Sequence, residues 1–281
     1  MKHQRLFPTI ALLAILSACA EPPADTSLEE VTVRDLRGDE FTYEIDGQPY
    51  IGYIAYDANS SGSPGVLVVH QWWGHDEYVR MRADMLAEMG YTALALDMYG
   101  GGKTADHPES AQAFAMEVLS NLDAGAERFA AALDTLKRHP STDSTMTAAI
   151  GYCFGGAIVL EMARRGLDLD AVASFHGILS TPTKADSGRV QAKILVLHGA
   201  DDPFVPQEQV DAFKSEMDSA GVDMRFVAYP GVVHAFTDTS ATRKGETFNM
   251  PLRYDAYADS ASWAELSAFM AEVFGEGLAG D

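Results

Sequence analysis

A single cysteine in the middle of the chain has the surroundings of a reactive nucleophile. Residues 151–156 read Gly-Tyr-Cys-Phe-Gly-Gly, and they join an apolar run typical of a strand to a segment typical of a helix. A nucleophile on such a tight turn needs small neighbours, which Gly151 and Gly155 provide, and the helix start behind the sulfur favours a thiolate. A lone cysteine is more often a buried structural residue. This context instead predicts that Cys153 is a nucleophile, and no Gly-x-Ser-x-Gly motif competes with it.

Two later loops supply residues that would activate the thiol. Asp201 and Asp202 follow one apolar run, and His234 follows the next. In the order nucleophile, acid, histidine, the imidazole would take the thiol proton and later protonate the leaving group, while the acid would orient the ring. We predict a triad of Cys153, Asp202 and His234, because Asp202 directly precedes Pro203. The adjacent Asp201 remains the competing acid.

These residues need a scaffold that brings them to one edge of a sheet. The sequence predicts an antiparallel hairpin, followed by apolar strands that alternate with amphipathic helices. The predicted strands are 41–45, 50–56, 66–69, 92–96, 147–150, 171–174, 194–197 and 225–228, and the predicted helices are 77–89, 109–119, 124–138, 156–165, 207–219 and 260–274. Runs that are apolar on both faces predict an α/β fold with a mostly parallel central sheet and helices on both faces. The site should lie at the carboxyl ends of the strands.

The N-terminus has the pattern of an exported lipoprotein. Lys2 and Arg5 precede an apolar run that is too short to span a bilayer as a helix. This run ends in Leu-Ser-Ala-Cys, which resembles the lipobox of bacterial lipoproteins and predicts a lipid on Cys19. Because Ala20 rather than Asp follows, we expect an anchor in the outer membrane, facing the periplasm. The alternative is an ordinary signal peptide cleaved nearby.

The predicted organisation is a signal peptide at residues 1–18, a lipidated N-terminus and tether at 19–30, and one folded domain at 31–281. The chain has 20 Lys and Arg against 41 Asp and Glu, a formal net charge of -21. This charge repels nucleic-acid phosphates and anionic lipid headgroups, so we expect no nucleic-acid partner and membrane contact only through the lipid on Cys19. With that cysteine lipidated, Cys153 has no disulfide partner. The sequence leaves the oligomeric state undetermined.

Three motifs together resemble the signature blocks of dienelactone hydrolases, a family of the α/β-hydrolase superfamily. They are the cysteine turn at 151–156, Asp-Pro-Phe-Val-Pro at 202–206 and Gly-Val-Val-His-Ala-Phe at 231–236, with further similarity at 69–74 and 96–100. The match extends from about residue 48 to residue 274. The resemblance implies an α/β-hydrolase fold, no cofactor, a small-molecule ester or lactone substrate, and an oxyanion hole made of the backbone N–H groups of Trp72 and Phe154.

Two positions depart from the pattern of that family. Gln71 stands where the family usually has a glutamate that helps to form the thiolate, and an amide cannot accept a proton at neutral pH. Asp238 stands where dienelactone hydrolases place an arginine that binds the substrate carboxylate. An acid there would repel that group, so the sequence predicts a neutral substrate. A preference for carboxylated substrates would require another cation, such as Arg80, Arg82 or Arg243.

Other chemistry-bearing residues have weaker patterns. Trp72, Trp73, Tyr99 and Phe236 fall on strand-end loops, where they are equally well explained as pocket walls or as core residues. Trp72 is already assigned to the oxyanion hole. The predicted substrate-binding set therefore combines the other three aromatic residues with the two departures from the family pattern: Gln71, Trp73, Tyr99, Phe236 and Asp238. His70, His75 and His176 lack a regular ligand spacing, so no metal is assigned. The loop at residues 100–103 (Gly-Gly-Gly-Lys) is only a partial match to a phosphate loop.

The sequence therefore predicts a hydrolase that cleaves an ester, lactone or thioester bond through an acyl-cysteine intermediate, acting on a neutral substrate in the cell envelope. An acyltransferase that uses the same triad remains an alternative. A non-catalytic binding lipoprotein on the same fold is a third hypothesis, because a fold alone does not imply a function.

Overall fold

The structure is a computed structural model that describes residue 1 and residues 34–275. The predicted lipidation site Cys19, the predicted tether and all of the predicted signal peptide except Met1 lie outside the described residues. From Arg34 onward, the described residues fall in one compact unit. No helix in this part of the chain combines the length and the apolar composition needed to cross a bilayer.

One sheet of eight strands forms the centre of this unit, and most neighbouring strands run parallel. In chain order the strands are β1 (Leu36–Ile45), β2 (Gln48–Asp57), β3 (Ser63–Val69), β4 (Thr92–Leu96), β5 (Thr142–Tyr152), β6 (Ala171–Phe175), β7 (Lys193–Gly199) and β8 (Met224–Tyr229). Their spatial order is β1-β2-β4-β3-β5-β6-β7-β8. The β1–β2 and β2–β4 pairs are antiparallel, and the remaining pairs are parallel. The predicted mostly parallel α/β architecture is confirmed.

Helices cover both faces of the sheet. They are α1 (Glu77–Glu88), α2 (Pro108–Leu119), α3 (Leu122–Lys137), α4 (Phe154–Arg165), α5 (Gln207–Ala220), α6 (Ala241–Phe248) and α7 (Ala256–Phe274). On β3, Leu67 and Val69 pack in the cluster that includes α3 and α4, whereas Val66 and Val68 pack in the cluster that includes α1 and α7. Each of these side chains is fully buried, and burial of each stabilises the fold by about 1.5–3 kcal/mol. A strand buried on both faces explains why the sequence shows an unbroken apolar run.

The hairpin of β1 and β2 follows from its turn residues. Asp46 and Gly47 both have positive φ, at 51° and 77°, and Ile45 pairs with Gln48 across the turn. A two-residue turn with both residues in the left-handed region matches the right-handed twist of the strands, and Asp-Gly favours it. The sequence predicted this hairpin correctly.

Two helical segments differ from the prediction. Helix α6 was not predicted, because Ala241–Phe248 is short, largely polar and interrupted by Gly245. Helix α7 begins at Ala256 rather than at residue 260, since the Asp255 carboxylate accepts a hydrogen bond from the backbone N–H of Ala258 at 2.9 Å and caps the helix there. Both segments follow β8, and the residues between them contact the loop that carries His234: the backbone N–H of Arg253 donates to the carbonyl oxygen of His234 at 3.2 Å.

Candidate active site

Cys153 lies on a strained turn between β5 and α4. Its φ is 55° and its ψ is -113°, and α4 begins at the next residue. A Cβ atom at Gly151 would lie 2.2 Å from the carbonyl oxygen of Gly155, and one at Gly155 would lie 2.3 Å from the carbonyl oxygen of Val69. Larger residues therefore cannot occupy either glycine position without moving backbone. This close packing presents a partly exposed Cys153 side chain at the carboxyl edge of the sheet.

Asp202 and His234 meet at the same edge. The Nδ1 atom of His234 lies 2.7 Å from Oδ2 of Asp202, and both side chains are almost completely buried. The other carboxylate oxygen of Asp202 accepts a hydrogen bond from the backbone N–H of Phe204 at 2.9 Å. The neighbouring Asp201 is exposed, and its backbone N–H donates to Val232. Asp202, not Asp201, is therefore the carboxylate that orients the imidazole.

The electrostatic state of His234 depends on both partners. Burial by itself lowers the pKa of His234, but the charge of the Cys153 sulfur and the hydrogen bond to Asp202 outweigh burial and raise the pKa to about 10. The direction of this shift favours the protonated imidazole when the sulfur is charged. A positive ring beside the sulfur favours a thiolate, which is the reactive form of cysteine.

His70 holds the loop after β3 in place through contacts of both ring nitrogens with the backbone. The Nε2 atom of His70 accepts the backbone N–H of Met98 at 3.2 Å, and Nδ1 lies 2.6 Å from the carbonyl oxygen of Gln71. Burial lowers the pKa of His70 to about 4, so the ring is neutral, with its proton on Nδ1. The next residue of the loop, Trp72, lines the cavity that contains Cys153.

The predicted oxyanion donors belong to this region. Phe154 is the first residue of α4, so its backbone N–H has no acceptor within the helix. Trp72 lies on the loop after β3, and its carbonyl oxygen accepts a hydrogen bond from the Tyr99 hydroxyl at 3.1 Å. The approach of Gly155 to Val69 places the start of α4 against the end of β3. The two segments that carry the predicted donors are therefore adjacent.

A cavity of about 420 Å³ opens beside the cysteine. Its walls are mainly apolar side chains from α2, α4 and the loops after β3, β6 and β8. The lining residues are Gln71, Trp72, Trp73, Gln112, Ala115, Met116, Leu119, Leu122, Cys153, Phe154, Ala157, Ile158, Glu161, Ile178, Ser180, Thr181, Pro182, Phe204, His234, Ala235, Met250 and Leu252. Such a volume and lining suit a small, largely apolar substrate.

The structure brings only part of the predicted substrate-binding set to this cavity. Gln71 and Trp73 line it, whereas Tyr99, Phe236 and Asp238 do not. The Tyr99 ring packs against the Phe154 ring without lining the cavity itself. The fully buried ring of Phe236 belongs to the core cluster on the α1 and α7 side of the sheet.

Three residues, Gln71, Ser240 and Lys244, donate hydrogen bonds to the Asp238 carboxylate, which does not line the cavity. Its Oδ2 atom accepts hydrogen bonds from Nε2 of Gln71 at 3.1 Å and from Nζ of Lys244 at 3.2 Å. Burial raises the pKa of Asp238, but Lys244 and hydrogen bonds from Ser240 outweigh burial and keep the pKa below its ordinary value. The sequence argument treated this acid as unpaired. In the structure its charge is balanced by Lys244, which also lies 4.7 Å from the Trp73 ring.

Phe204, Lys244 and Glu161 are residues of the site that the sequence reasoning missed. Phe204 lies edge-on to His234, with ring centroids 5.1 Å apart, and its place in Asp-Pro-Phe-Val-Pro could have marked it. Lys244 lies on the unpredicted helix α6. Glu161 lies two turns along α4 from the cysteine, where its helical spacing to Phe154 was the available signal.

The three histidines considered as metal ligands have other roles. His70 holds the β3 loop as described, His75 lies 3.0 Å from the carbonyl oxygen of Ala95 through Nε2, and His176 lies 2.7 Å from the Thr237 hydroxyl. Across residues 34–275, no three His, Cys, Asp or Glu side chains converge as a metal site would require.

The glycine-rich loop considered as a phosphate site is bound by a carboxylate. Asp97 accepts hydrogen bonds from the backbone N–H groups of Tyr99 and Gly100, both at 2.8 Å, and of Gly102 at 2.7 Å. Since these amides point to an acid of the chain itself, they are not arranged to receive a phosphate.

A mostly parallel sheet covered by helices, with a cysteine on a strained turn after a central strand and an acid and a histidine after later strands, has the arrangement of an α/β-hydrolase. The dienelactone hydrolase family model matches residues 51–274. The chain belongs to the dienelactone hydrolase family.

The chain is also similar to individual proteins and solved structures. Protein usf of Aquifex pyrophilus is 32% identical over 204 residues, which are 71% of this chain and 87% of that protein. The crystal structure of a dienelactone hydrolase-like promiscuous phosphotriesterase from metagenomic libraries is 35% identical, with a TM-score of 0.80, and covers 85% of this chain and 99% of its own. An α/β-hydrolase enzyme from a Medee basin deep-sea metagenome library is 16% identical, with a TM-score of 0.64 over 86% of this chain and 99% of its own. This last likeness shows the fold alone.

Proposed function

We propose that this hydrolase cleaves a carboxylic ester, lactone or thioester through an acyl-cysteine at Cys153. The observation that carries the proposal is the series of contacts in which Asp202 orients His234 and His234 interacts with Cys153, at the wall of an apolar cavity. A nucleophile, a base and an orienting acid in this order are the elements that acyl transfer needs.

The first half of the proposed reaction forms the acyl-enzyme. The Cys153 thiolate attacks the scissile carbonyl carbon, and the carbonyl π pair moves to oxygen. The backbone N–H groups of Trp72 and Phe154 stabilise the resulting oxyanion. Collapse of this intermediate breaks the bond to the leaving oxygen or sulfur, which takes the proton carried by His234.

The second half releases the acid. His234 is neutral after donating its proton, so it removes a proton from water as the water attacks the thioester carbon. The carbon–sulfur bond then breaks, and the thiolate returns beside the imidazolium. Asp202 keeps the Nδ1 proton of the ring in place during both halves, because its carboxylate accepts at that nitrogen.

The proposed substrate is neutral near the scissile bond. Among the described residues that line the cavity, none is a Lys or Arg, and Glu161 is acidic. A substrate carboxylate would lose its hydration and gain no charged partner there. We expect a neutral ester to exceed a size-matched carboxylated ester by at least about tenfold in kcat/KM, since one charge-assisted hydrogen bond is worth about 1.5–3 kcal/mol.

The proposed location is the cell envelope. Support comes from the leader pattern at residues 1–18 and from Cys19 at its end. Replacement of Cys19 by Ser should move the protein from the membrane fraction to the soluble periplasmic fraction and remove the mass of the lipid. A soluble wild-type protein without lipid would contradict this proposal.

The test of the chemistry uses nitrophenyl esters with the wild-type enzyme and with Cys153→Ala. The wild type should show a burst of nitrophenol and a mass increase equal to one acyl group, whereas Cys153→Ala should lose at least about 10³-fold in turnover. Substantial turnover in Cys153→Ala would contradict the nucleophile assignment. An added alcohol that collects the acyl group faster than water does would favour the acyltransferase alternative.

A second candidate activity is phosphotriester hydrolysis. One solved structure that is 35% identical to this chain is named as a promiscuous phosphotriesterase. A neutral phosphotriester would also suit a cavity without Lys or Arg in its described lining. Assay of a neutral phosphotriester beside the carboxylic esters would show whether the cysteine turns it over or is stably phosphorylated.

A further inference from the structure

The face of α4 that lines the cavity ends in a carboxylate which the hydrolysis mechanism does not use. Phe154, Ala157, Ile158 and Glu161 all line the cavity. Their spacing of three, four and seven residues places them on one stripe of the helix. The first three are apolar, as a cavity wall for an apolar substrate requires. The fourth is an acid, and its side chain is only 1% exposed.

Among residues 34–275, the two strong hydrogen bonds to Glu161 both reach the same carboxylate oxygen. Oε1 accepts a hydrogen bond from Nε of Arg165 at 2.7 Å and another from the Thr183 hydroxyl. Oε2 is buried and accepts no hydrogen bond. The Thr181 hydroxyl donates to the carbonyl oxygen of Thr183 at 3.1 Å and also lies close enough to the Glu161 carboxylate to help lower its pKa. A buried carboxylate oxygen without a donor is unfavourable, so the structure leaves an acceptor to be satisfied at the cavity wall.

The carboxylate is charged when substrate arrives. Burial raises the pKa of Glu161, but hydrogen bonds from Thr183, Arg165 and Thr181 outweigh burial and lower the pKa below its ordinary value. At neutral pH the side chain can therefore only accept hydrogen bonds.

We propose that Oε2 of Glu161 accepts a hydrogen bond from the substrate, so that the cavity selects acyl chains that carry a hydroxyl or ammonium group at the far end. This inference rests on the proposed function, since it assumes an acyl group on Cys153. From Phe154 to Glu161 the helix rises about 10 Å. A chain of roughly six to eight atoms beyond the scissile carbonyl spans that distance.

The experiment compares nitrophenyl esters of octanoic, 8-hydroxyoctanoic and 8-aminooctanoic acid. For the wild type, the better of the two substituted chains should exceed the plain chain in kcat/KM by about tenfold. The substituted chain with the higher kcat/KM identifies the donor as a hydroxyl or an ammonium group. A wild-type ratio near one for both substituted chains would overturn the inference.

Glu161→Gln is the informative variant. Arg165 and Thr183 both donate to the first oxygen, so they should hold the amide oxygen of the glutamine and turn its NH₂ group toward the substrate. The preference for an ammonium chain should then fall by about tenfold, because neither the NH₂ group nor the ammonium can accept. A hydroxyl chain could accept from that NH₂ group, so its loss of preference is tested with Glu161→Leu, which removes both the donor and the acceptor. An unchanged preference for the favoured chain in its matching variant would also overturn the inference, because the carboxylate would then serve only to tie α4 to the loop at residues 181–183.

Glu216→Gln is the matched control. Glu216 is likewise a largely buried carboxylate held by an arginine, with its Oε1 atom 2.8 Å from Nε of Arg164, but it does not line the cavity. This variant should keep the wild-type preference. An equal loss of preference in Glu216→Gln would assign the effect to general destabilisation and would contradict a specific role for Glu161.

A binding measurement separates this inference from the proposed chemistry. In Cys153→Ala, Trp72 and Trp73 at the cavity wall should report binding of the three chains, offered as methyl esters, through their fluorescence. Tighter binding of a substituted chain supports the role of Glu161 even if no ester is turned over. Turnover of the plain ester with equal binding of all three chains would retain the proposed function and refute the inference.

Discussion

Gln71 donates a hydrogen bond from Nε2 to Oδ2 of Asp238 at 3.1 Å, across 167 positions of sequence. These are the two positions at which the chain departs from the dienelactone hydrolase pattern, where the family usually has a glutamate and an arginine. The two residues that differ from the family pattern are therefore joined to each other, Gln71 as donor and Asp238 as acceptor. Since Asp238 can only accept, the amide of Gln71 has a fixed orientation.

This contact alters what an arginine at position 238 would do. The resemblance by itself would suggest that Asp238→Arg restores a partner for a substrate carboxylate. In the structure the new guanidinium would lie beside the positive charge of Lys244. The substitution would also remove the carboxylate that accepts the hydrogen bond from Gln71. We therefore expect Asp238→Arg to weaken the fold without creating a carboxylate site.

Lys244→Met tests the balance of charge behind the cavity. Removal of this partner leaves the Asp238 carboxylate buried with neutral donors only, so the free energy of unfolding should fall by about 2–3 kcal/mol. Chemical denaturation of the single variants and of Lys244→Met with Asp238→Asn forms a double-mutant cycle. Strictly additive effects would show that the two side chains do not interact.

Asp202→Asn should impair catalysis far more than Asp201→Asn. Asp202 lies 2.7 Å from the His234 ring, whereas Asp201 is exposed and contributes a backbone contact. An amide at position 202 cannot hold the same tautomer, so kcat should fall by about 10²-fold or more. The Asp201 variant is the matched control, with one charge removed and an expected change within about twofold. A reversed order of the two variants would contradict the predicted triad.

The pH dependence should report the interaction between His234 and Cys153. The pKa of His234 is raised to about 10, so the ring should lose its proton, and the leaving group its proton donor, only as pH rises through that value. In Cys153→Ala the sulfur no longer favours the positive ring, and the pKa should move down toward the ordinary value. Nitrogen NMR of the His234 ring in both proteins measures this shift. Equal titration of the two rings would exclude the sulfur as its cause.

Gly151→Ala should destabilise the enzyme severely. The added Cβ atom would lie 2.2 Å from the carbonyl oxygen of Gly155, and neither backbone segment can move away without disturbing the turn. We expect a loss of more than about 3 kcal/mol in the free energy of unfolding, measured with urea. Gly125→Ala in α3 is the control, because its nearest neighbour is a methyl group of Val118 at 3.2 Å and alanine favours a helix. Similar losses in the two variants would contradict the steric argument.

The sheet and the chemistry of the strand ends were accessible from the sequence. Strands such as β3, buried on both faces, leave unbroken apolar runs, and helices between them leave amphipathic patterns. Asp202 was favoured from the proline that follows it, and the structure places that residue, not Asp201, beside His234. Local patterns determine these features, so one sequence suffices to predict them.

Pairings between distant polar residues were not accessible in the same way. Lys244 balances Asp238 from a helix whose polar, glycine-containing sequence carries no clear helical signal. In the sequence, Glu161 cannot be distinguished from an acidic residue on the surface. Only the packing of α4 against the loop after β6 shows that it is buried. Contacts between polar residues that are distant in sequence depend on the conformations of the loops at the sheet edge. Short sequence motifs do not predict those conformations.

The backbone around position 153 does not depend on the sulfur. Its positive φ is imposed by the approach of Gly151 and Gly155 to their neighbours, and the Cys153 side chain makes no cap hydrogen bond to α4. An oxygen nucleophile could therefore occupy the same turn without rebuilding it. In evolutionary terms, the choice between cysteine and serine at this position is separable from the architecture, so related enzymes can exchange one reactive atom for the other while the fold is retained.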